Sequence, residues 1–188
     1  MPVVVHDIPS AACCCGPARY RWDMVRASRP HMPGYGLLPA DRGTGLLPWS
    51  WAERRLRESH DYFVASRWPD GRPHLMPVWG VWAGGLFWFS SAAGSRKVHN
   101  LLADARCSVA IDDALDPVIV EGVAEFRGDA DDRRSYLDAM NAKYEVSYGL
   151  DFLDGVRNLC LRVRPVSAIG LLQQDFSGSP TRWSFTTE

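Results

Sequence analysis

Gly94-Ser95-Arg96-Lys97 is the segment of this chain best suited to hold an anion. A helix opening at Ser95 presents unpaired backbone N–H groups and the positive end of its dipole. Gly94 lets backbone approach closely, Ser95 adds a hydroxyl, and Arg96 and Lys97 add two cations, which together make a phosphate cradle. The plain alternative is a solvated helix start with two surface cations. Other chemistries find less support. His6, His31, His60, His74 and His99 form no H-E-x-x-H or other ligand spacing, so no metal site is expected. No G-x-S-x-G marks an acyl-transfer serine. His74 and Tyr144 could donate a proton, but packing roles suit both, and no catalytic side chain is assigned.

The elements that must position the cradle can be read from punctuation and period. Residues 1–49 are rich in Pro and Gly, hold no helical or alternating period, and read as an extended arm. Met24 and Met32 are candidates for the true translation start within it. The ordered domain is expected over 50–188. It begins with a short helix to about Ser59, introduced by the capping-box spacing of Ser50 and Glu53. Asp61 to Arg67 and His74 to Trp82 read as strands joined by the turn Pro69-Asp70-Gly71-Arg72. Gly84-Gly85 turns the chain into a third strand, Leu86 to Ser91. The charge-free run Leu75 to Ser95 is therefore two buried strands and not a membrane span.

A short helix from Gly94 to Ala103 follows, then strands Arg106 to Asp112 and Val118 to Arg127. Asp129 caps a helix to about Tyr144, with Tyr136, Leu137, Met140 and Tyr144 on one face. Asn158 to Val163 and Ser167 to Leu172 read as two strands separated by Pro165, and Thr181 to Phe185 as a closing strand. Six to eight short strands with few helices predict a mainly β fold, a small antiparallel barrel. The strand Val78-Trp79-Gly80-Val81-Trp82 is apolar at successive positions and needs cover on both faces. With three short helices available, a homodimer is expected.

Composition narrows the function classes. Of 188 residues, 46% are apolar and 23% charged, enough for a core without disulfides or a structural metal. The formal net charge is −1, which argues against nucleic acid or an anionic membrane as partner. Only Lys97 and Lys143 are lysines among 21 basic residues. Cys13, Cys14 and Cys15 are adjacent and ill-placed to bridge one another, while Cys107 and Cys160 fall in apolar runs. These features, with no signal-peptide pattern in Met1 to Ala12, predict a reducing, cytoplasmic setting.

From about residue 61 to 172 the chain resembles the pyridoxamine 5′-phosphate oxidase-like, FMN-binding split-barrel superfamily. The resemblance rests on Pro69-Asp70-Gly71-Arg72-Pro73, Val78-Trp79, Phe87-Trp88-Phe89-Ser90-Ser91, Gly94-Ser95-Arg96-Lys97 with Asn100-Leu101, and Val120-Glu121-Gly122-Val123-Ala124-Glu125. Gly-Ser-Arg-Lys and the terminal Thr181-Arg182-Trp183 are similar to the flavin/deazaflavin (F420-dependent) oxidoreductase branch. The resemblance implies a six-stranded split β-barrel that dimerises, with two cofactor sites at the subunit interface.

By the same resemblance, Arg96 and Lys97 bind the phosphate of coenzyme F420 or FMN, and Ser95 assists. Ser90 and Ser91 contact phosphate or ribityl groups, and the strand Met76-Pro77-Val78-Trp79 lines the isoalloxazine ring. Trp183 lies near the cofactor cleft or else closes the barrel base. True pyridoxamine phosphate oxidases carry an arginine where this chain has Met76, and their C-terminal arginine and histidine constellation is missing. The implied activity is therefore hydride transfer between the cofactor and a small unsaturated substrate, and not vitamin B6 oxidation. The alternative is a non-catalytic carrier or sensor of flavin, deazaflavin or haem on the same fold, with His74 or His99 as axial ligand.

Overall fold

The structure is a computed structural model that describes residues 24–186. Cys13, Cys14, Cys15, His6 and the stretch Met1 to Ala12 lie outside the described residues. In chain order the elements are β1 (Met24–Ser28), α1 (Trp49–Glu58), β2 (Asp61–Arg67), β3 (Pro73–Ala83), β4 (Leu86–Ala92) and α2 (Arg96–Ala103). They continue with β5 (Arg106–Ile111), β6 (Val118–Arg127), α3 (Ala130–Tyr144), β7 (Asn158–Gly170) and β8 (Thr181–Thr186). All pairings are antiparallel. The order β7-β4-β3-β2-β5-β6 closes through a β6–β7 pairing, and β8 and then β1 extend from β7. The expected six-stranded barrel is the fold, with two further strands and three helices.

Alternation along the strands sorts side chains to the two barrel faces. Tyr62, Val64, Phe87, Phe89, Val109, Val120, Leu161 and Val163 fill the interior. Val81, Leu86 and Trp88 point the other way and are covered by Tyr136, Leu137 and Met140 of α3. So β3 and β4 are buried on both faces where α3 lies, as their unbroken apolar runs require. Gly84 and Gly85, both at positive φ, make the tight β3–β4 turn.

Three local readings change. First, α1 starts at Trp49 with Pro48 as its cap and no side-chain cap hydrogen bond. The capping box does not form, because Glu53 instead accepts from the Trp82 indole at 3.3 Å and pairs with Arg57 at 2.8 Å. Second, Pro165 does not interrupt the chain between separate strands. It lies within the single strand β7, opposite Gly122, where the ladder with β6 shifts register. That irregularity absorbs the missing N–H of proline. Third, within the segment read as an arm, Met24–Ser28 is a strand paired with β8. The loop after it is tied down by Arg29, whose guanidinium donates to the carbonyls of Leu38, Pro39, Gly178 and Pro180 at 2.8–3.0 Å.

Candidate functional site

The barrel is split at β3. Its first segment, Pro73 to Trp79, pairs with β2, whereas its pairing with β4 covers only Gly80 to Ala83. Beyond Gly80 and Phe89 the two strands diverge, and β4 continues through Ser90, Ser91 and Ala92 paired to β7 on its other side. One backbone edge of β3 from Pro73 to Trp79 is therefore unpaired. This explains why Pro73 and Pro77 are tolerated in a strand central to the sheet order. Gly80 is the pivot: a Cβ there would stand 2.3 Å from the Phe87 ring and 2.9 Å from the Trp88 carbonyl oxygen.

The pivot is clamped by the end of α3. The Tyr144 hydroxyl accepts from the Gly80 N–H at 2.8 Å and donates to the His60 carbonyl at 2.6 Å. Its ring stacks on Trp79 at 4.5 Å. Lys143 Nζ donates to the Gly80 carbonyl and to the Tyr62 hydroxyl, both at 2.8 Å. Burial raises the Tyr144 pKa to about 12 and depresses Lys143 to about 8. Tyr144 is thus engaged as a clamp of the split, and its single proton is already given to a carbonyl.

At the opposite side of the split stands α2. Ser95 caps it, accepting from the Val98 N–H at 3.4 Å, so the first-turn amides of Arg96 and Lys97 have no intrahelical partner. Ser95 and Ser91 share a hydrogen bond of 2.9 Å, and Lys97 Nζ donates to Ser91 Oγ at 3.1 Å. Ser90 accepts from the buried Tyr136 hydroxyl at 3.2 Å. The structure thus brings Ser91, Ser95 and Lys97 together, with Arg96 beside them at the start of α2, whereas Ser90 lies on the other face of β4, against Tyr136 of α3, and does not join the cluster. Gly94 adjoins open space.

Arg96 and Lys97 differ from the majority of the basic side chains. Most arginines pair with carboxylates, as Arg67 and Arg106 do with Asp104. Among the described residues no carboxylate pairs with Arg96 or Lys97. Lys97 is half-buried, and desolvation lowers its pKa. Among the described residues, an ammonium and a guanidinium without a carboxylate partner thus stand beside free first-turn amides.

Deeper in, Asn100 of α2 is fully buried and donates to Ser66 Oγ at 3.2 Å, which lies 3.4 Å from His74 Nδ1. The Asn100 side-chain amide oxygen, Oδ1, is buried with no hydrogen-bond partner among the described residues. Sequence reading did not single out Ser66 or Trp68, and named Asn100 only as part of the motif that follows Lys97. Trp68 lies 4.0 Å below the Arg96 guanidinium, and its place just before the Pro-Asp-Gly turn was the available signal.

The expected strand Met76 to Trp79 borders the split. Met76, Pro77 and Trp79 are exposed there, while Val78 is buried in the barrel. Trp183 is a correction to the alternative that placed it near a cofactor. It is fully buried, packed against Trp49 at 5.6 Å and Trp51 at 6.3 Å, and its indole N–H donates to the Leu47 carbonyl at 3.1 Å. Core side chains occupy its ring faces, so it closes the barrel.

On the outer barrel face, Phe63, Leu75, Ile119 and Val166 remain exposed, Leu75 at 59%. A cavity of about 460 Å³ lies on this face between Ala65, Ser108, Val123 and Val166. No helix covers it.

A family model described as pyridoxamine 5′-phosphate oxidase matches residues 52–163. No protein of curated function matches the sequence. Among solved structures, the conserved hypothetical protein Rv2991 from Mycobacterium tuberculosis superposes with a TM-score of 0.56 at 23% identity, over 65% of this chain and 82% of that one. An F420 reductase superposes at 0.50 and 21% identity, over 62% of this chain and 94% of its own. A FAD-binding protein from Mesorhizobium loti does so at 0.52 and 14% identity, over 86% and 99%. At such identities the likeness is one of fold.

Proposed function

The chain belongs to the pyridoxamine 5′-phosphate oxidase family, and from that premise we propose that it is an oxidoreductase working with a flavin-type cofactor, coenzyme F420 or FMN. The observation that carries this reading is the pair of uncompensated cations, Arg96 and Lys97, beside the unpaired edge of β3. The residues fit such a group. The free amides of α2, Lys97 and Arg96 match a phosphate, and the open edge with Met76, Pro77 and Trp79 matches the rim of a flat ring system.

When bound, the cofactor supplies the hydride chemistry. The chain's own residues hold the anion through Lys97 and Arg96, keep the split open through the Gly80 pivot, and shield one side with apolar β3 side chains. Ser91 and Ser95 orient the Lys97 ammonium rather than leaving it free to rotate. Met76 adds no third cation for the cofactor phosphate, and with no C-terminal arginine and histidine constellation in the sequence the reading is a small unsaturated substrate and not pyridoxamine phosphate.

A homodimer completes the site. The uncovered outer face carrying Phe63, Leu75, Ile119 and Val166 is the surface a second copy would bury, which sets the cofactor cleft at the subunit boundary. Among the described residues no helix is long and apolar enough to cross a membrane. Buried free thiols at Cys107 and Cys160 suit a cytoplasmic setting.

The test is titration of the purified protein with FMN and with F420, followed by fluorescence. Saturable binding of one, abolished in the Arg96→Ala/Lys97→Ala double variant, supports the reading. Binding of neither, or equal binding by the double variant, refutes it.

A further inference from the structure

We propose that Trp68 is a positioning residue for the anion site, holding the Arg96 guanidinium by its face so that its N–H edge stays free for the incoming anion. The inference rests on the cofactor-anion reading above and names a residue outside the cradle itself. Arg96 lies with its guanidinium carbon 4.0 Å from the centre of the Trp68 ring, and Arg72 lies 4.4 Å from the same ring. The two arginines differ in one respect. Arg72 is neutralised, since Nε donates to Asp70 at 2.8 Å and the Arg72 amide donates to the same carboxylate at 3.1 Å. Arg96 has no carboxylate partner among the described residues.

A carboxylate would immobilise a guanidinium by consuming the in-plane donors that an oxyanion needs. An indole holds it through the π face and consumes none. Free arginine carries large rotamer entropy, so a platform that fixes it beforehand lowers the ordering cost of binding.

The hairpin makes the platform rigid. The Trp68 backbone N–H donates to the Arg72 carbonyl, and the Gly71 N–H donates to the Trp68 carbonyl, both at 2.9 Å. Gly71 takes a φ of 92°, which a side chain would resist. His74 packs edge-on to the same indole at 6.2 Å. The β2–β3 hairpin thus reaches across the split to α2, and Trp68 is the contact through which it acts on Arg96.

The experiment is a double-mutant cycle with Trp68→Leu, Arg96→Met and the pair, reading the affinity for whichever of FMN and F420 the wild-type protein binds. Loss of a cation–π platform at a half-exposed site predicts about two- to fivefold weaker binding for Trp68→Leu. No further loss is expected when Arg96 is already Met, and Trp68→Phe should restore most of the affinity. An equal loss in both backgrounds, or none in either, overturns the proposal.

A cofactor-free arm separates this from failure of the functional reading. The Arg96 side-chain protons should show an upfield ring-current shift by NMR that disappears in Trp68→Leu. If wild type binds neither cofactor, the functional reading fails, and absence of the ring-current shift then overturns the platform as well. Thermal unfolding of each variant confirms that the fold is retained.

Discussion

Replacing Lys97 by Met separates what the cradle does for binding from what it does for stability. Lys97 is half-buried, donates to Ser91 at 3.1 Å, and has no carboxylate partner among the described residues. Its desolvation is a cost borne by the folded protein, as the lowered pKa records. Met preserves the length and apolar stem while removing the charge, so the unfolding midpoint should stay constant or rise. Binding should move in the opposite sense. A hydrogen bond between an ammonium and an anionic oxygen contributes about 1.5–3 kcal/mol net, or ~10- to 150-fold in dissociation constant.

The pH dependence supplies a second axis for the same variant. Because burial depresses the Lys97 pKa, its ammonium is lost at lower pH than an ordinary lysine's, and cofactor affinity should fall on the alkaline side earlier than lysine chemistry alone predicts. In Lys97→Met that alkaline limb should vanish. The assay is fluorescence titration with FMN and F420 at fixed ionic strength, paired with urea denaturation. A variant that binds within twofold of wild type, or that is destabilised by more than about 2 kcal/mol, would contradict the assignment of Lys97 as an anion ligand that costs the fold stability.

Further perturbations test the frame around the cradle. Gly80→Ala drives a methyl group to 2.3 Å from the Phe87 ring and should cost about 1–3 kcal/mol by denaturant unfolding; an unchanged midpoint would show that the pivot is not tight. Leu75→Asp places a charge on the uncovered barrel face, and sedimentation should show a shift from dimer to monomer with the fold retained; a dimer that persists unaltered would place the interface elsewhere. Lys143 is depressed to about 8 against an ordinary value of 10.5, so between these values the unfolded chain binds more protons than the native one. Stability of wild type relative to Lys143→Met should therefore rise as pH increases from about 8 toward 10.5, and a falling difference would reverse the assignment.

Much of the fold was legible because its signals are local. The Pro-Asp-Gly and Gly-Gly turns need particular φ values, and the 3–4 spacing of Tyr136, Leu137 and Met140 marks one helix face. The cradle was legible for the same reason, since Ser91, Ser95, Arg96 and Lys97 lie within seven residues of one another and a helix start organises them locally. The errors also have a physical pattern. Glu53 had two competing uses, and a tertiary contact with Trp82 outcompeted the local capping box. Pro165 forbids one ladder bond, but a register shift in a partner more than forty residues distant removes the conflict.

What the sequence determined was the existence of strands, turns and a serine-capped helix start bearing two cations, because each depends on neighbours a few residues apart. What only the tertiary structure decided was where the barrel splits, which cations lack a counterion, and what lies beneath them. Strand divergence at Gly80 depends on Phe87 and on the Tyr144 clamp from a distant helix. Arg96 rests on Trp68 across the split, a contact between residues from separate elements. Trp183 looks locally like a stacking residue, yet its burial follows from Trp49, Trp51 and Leu47 packing around it. Long-range packing sets exposure and pairing, and a linear pattern carries no record of which distant side chain arrives to satisfy it.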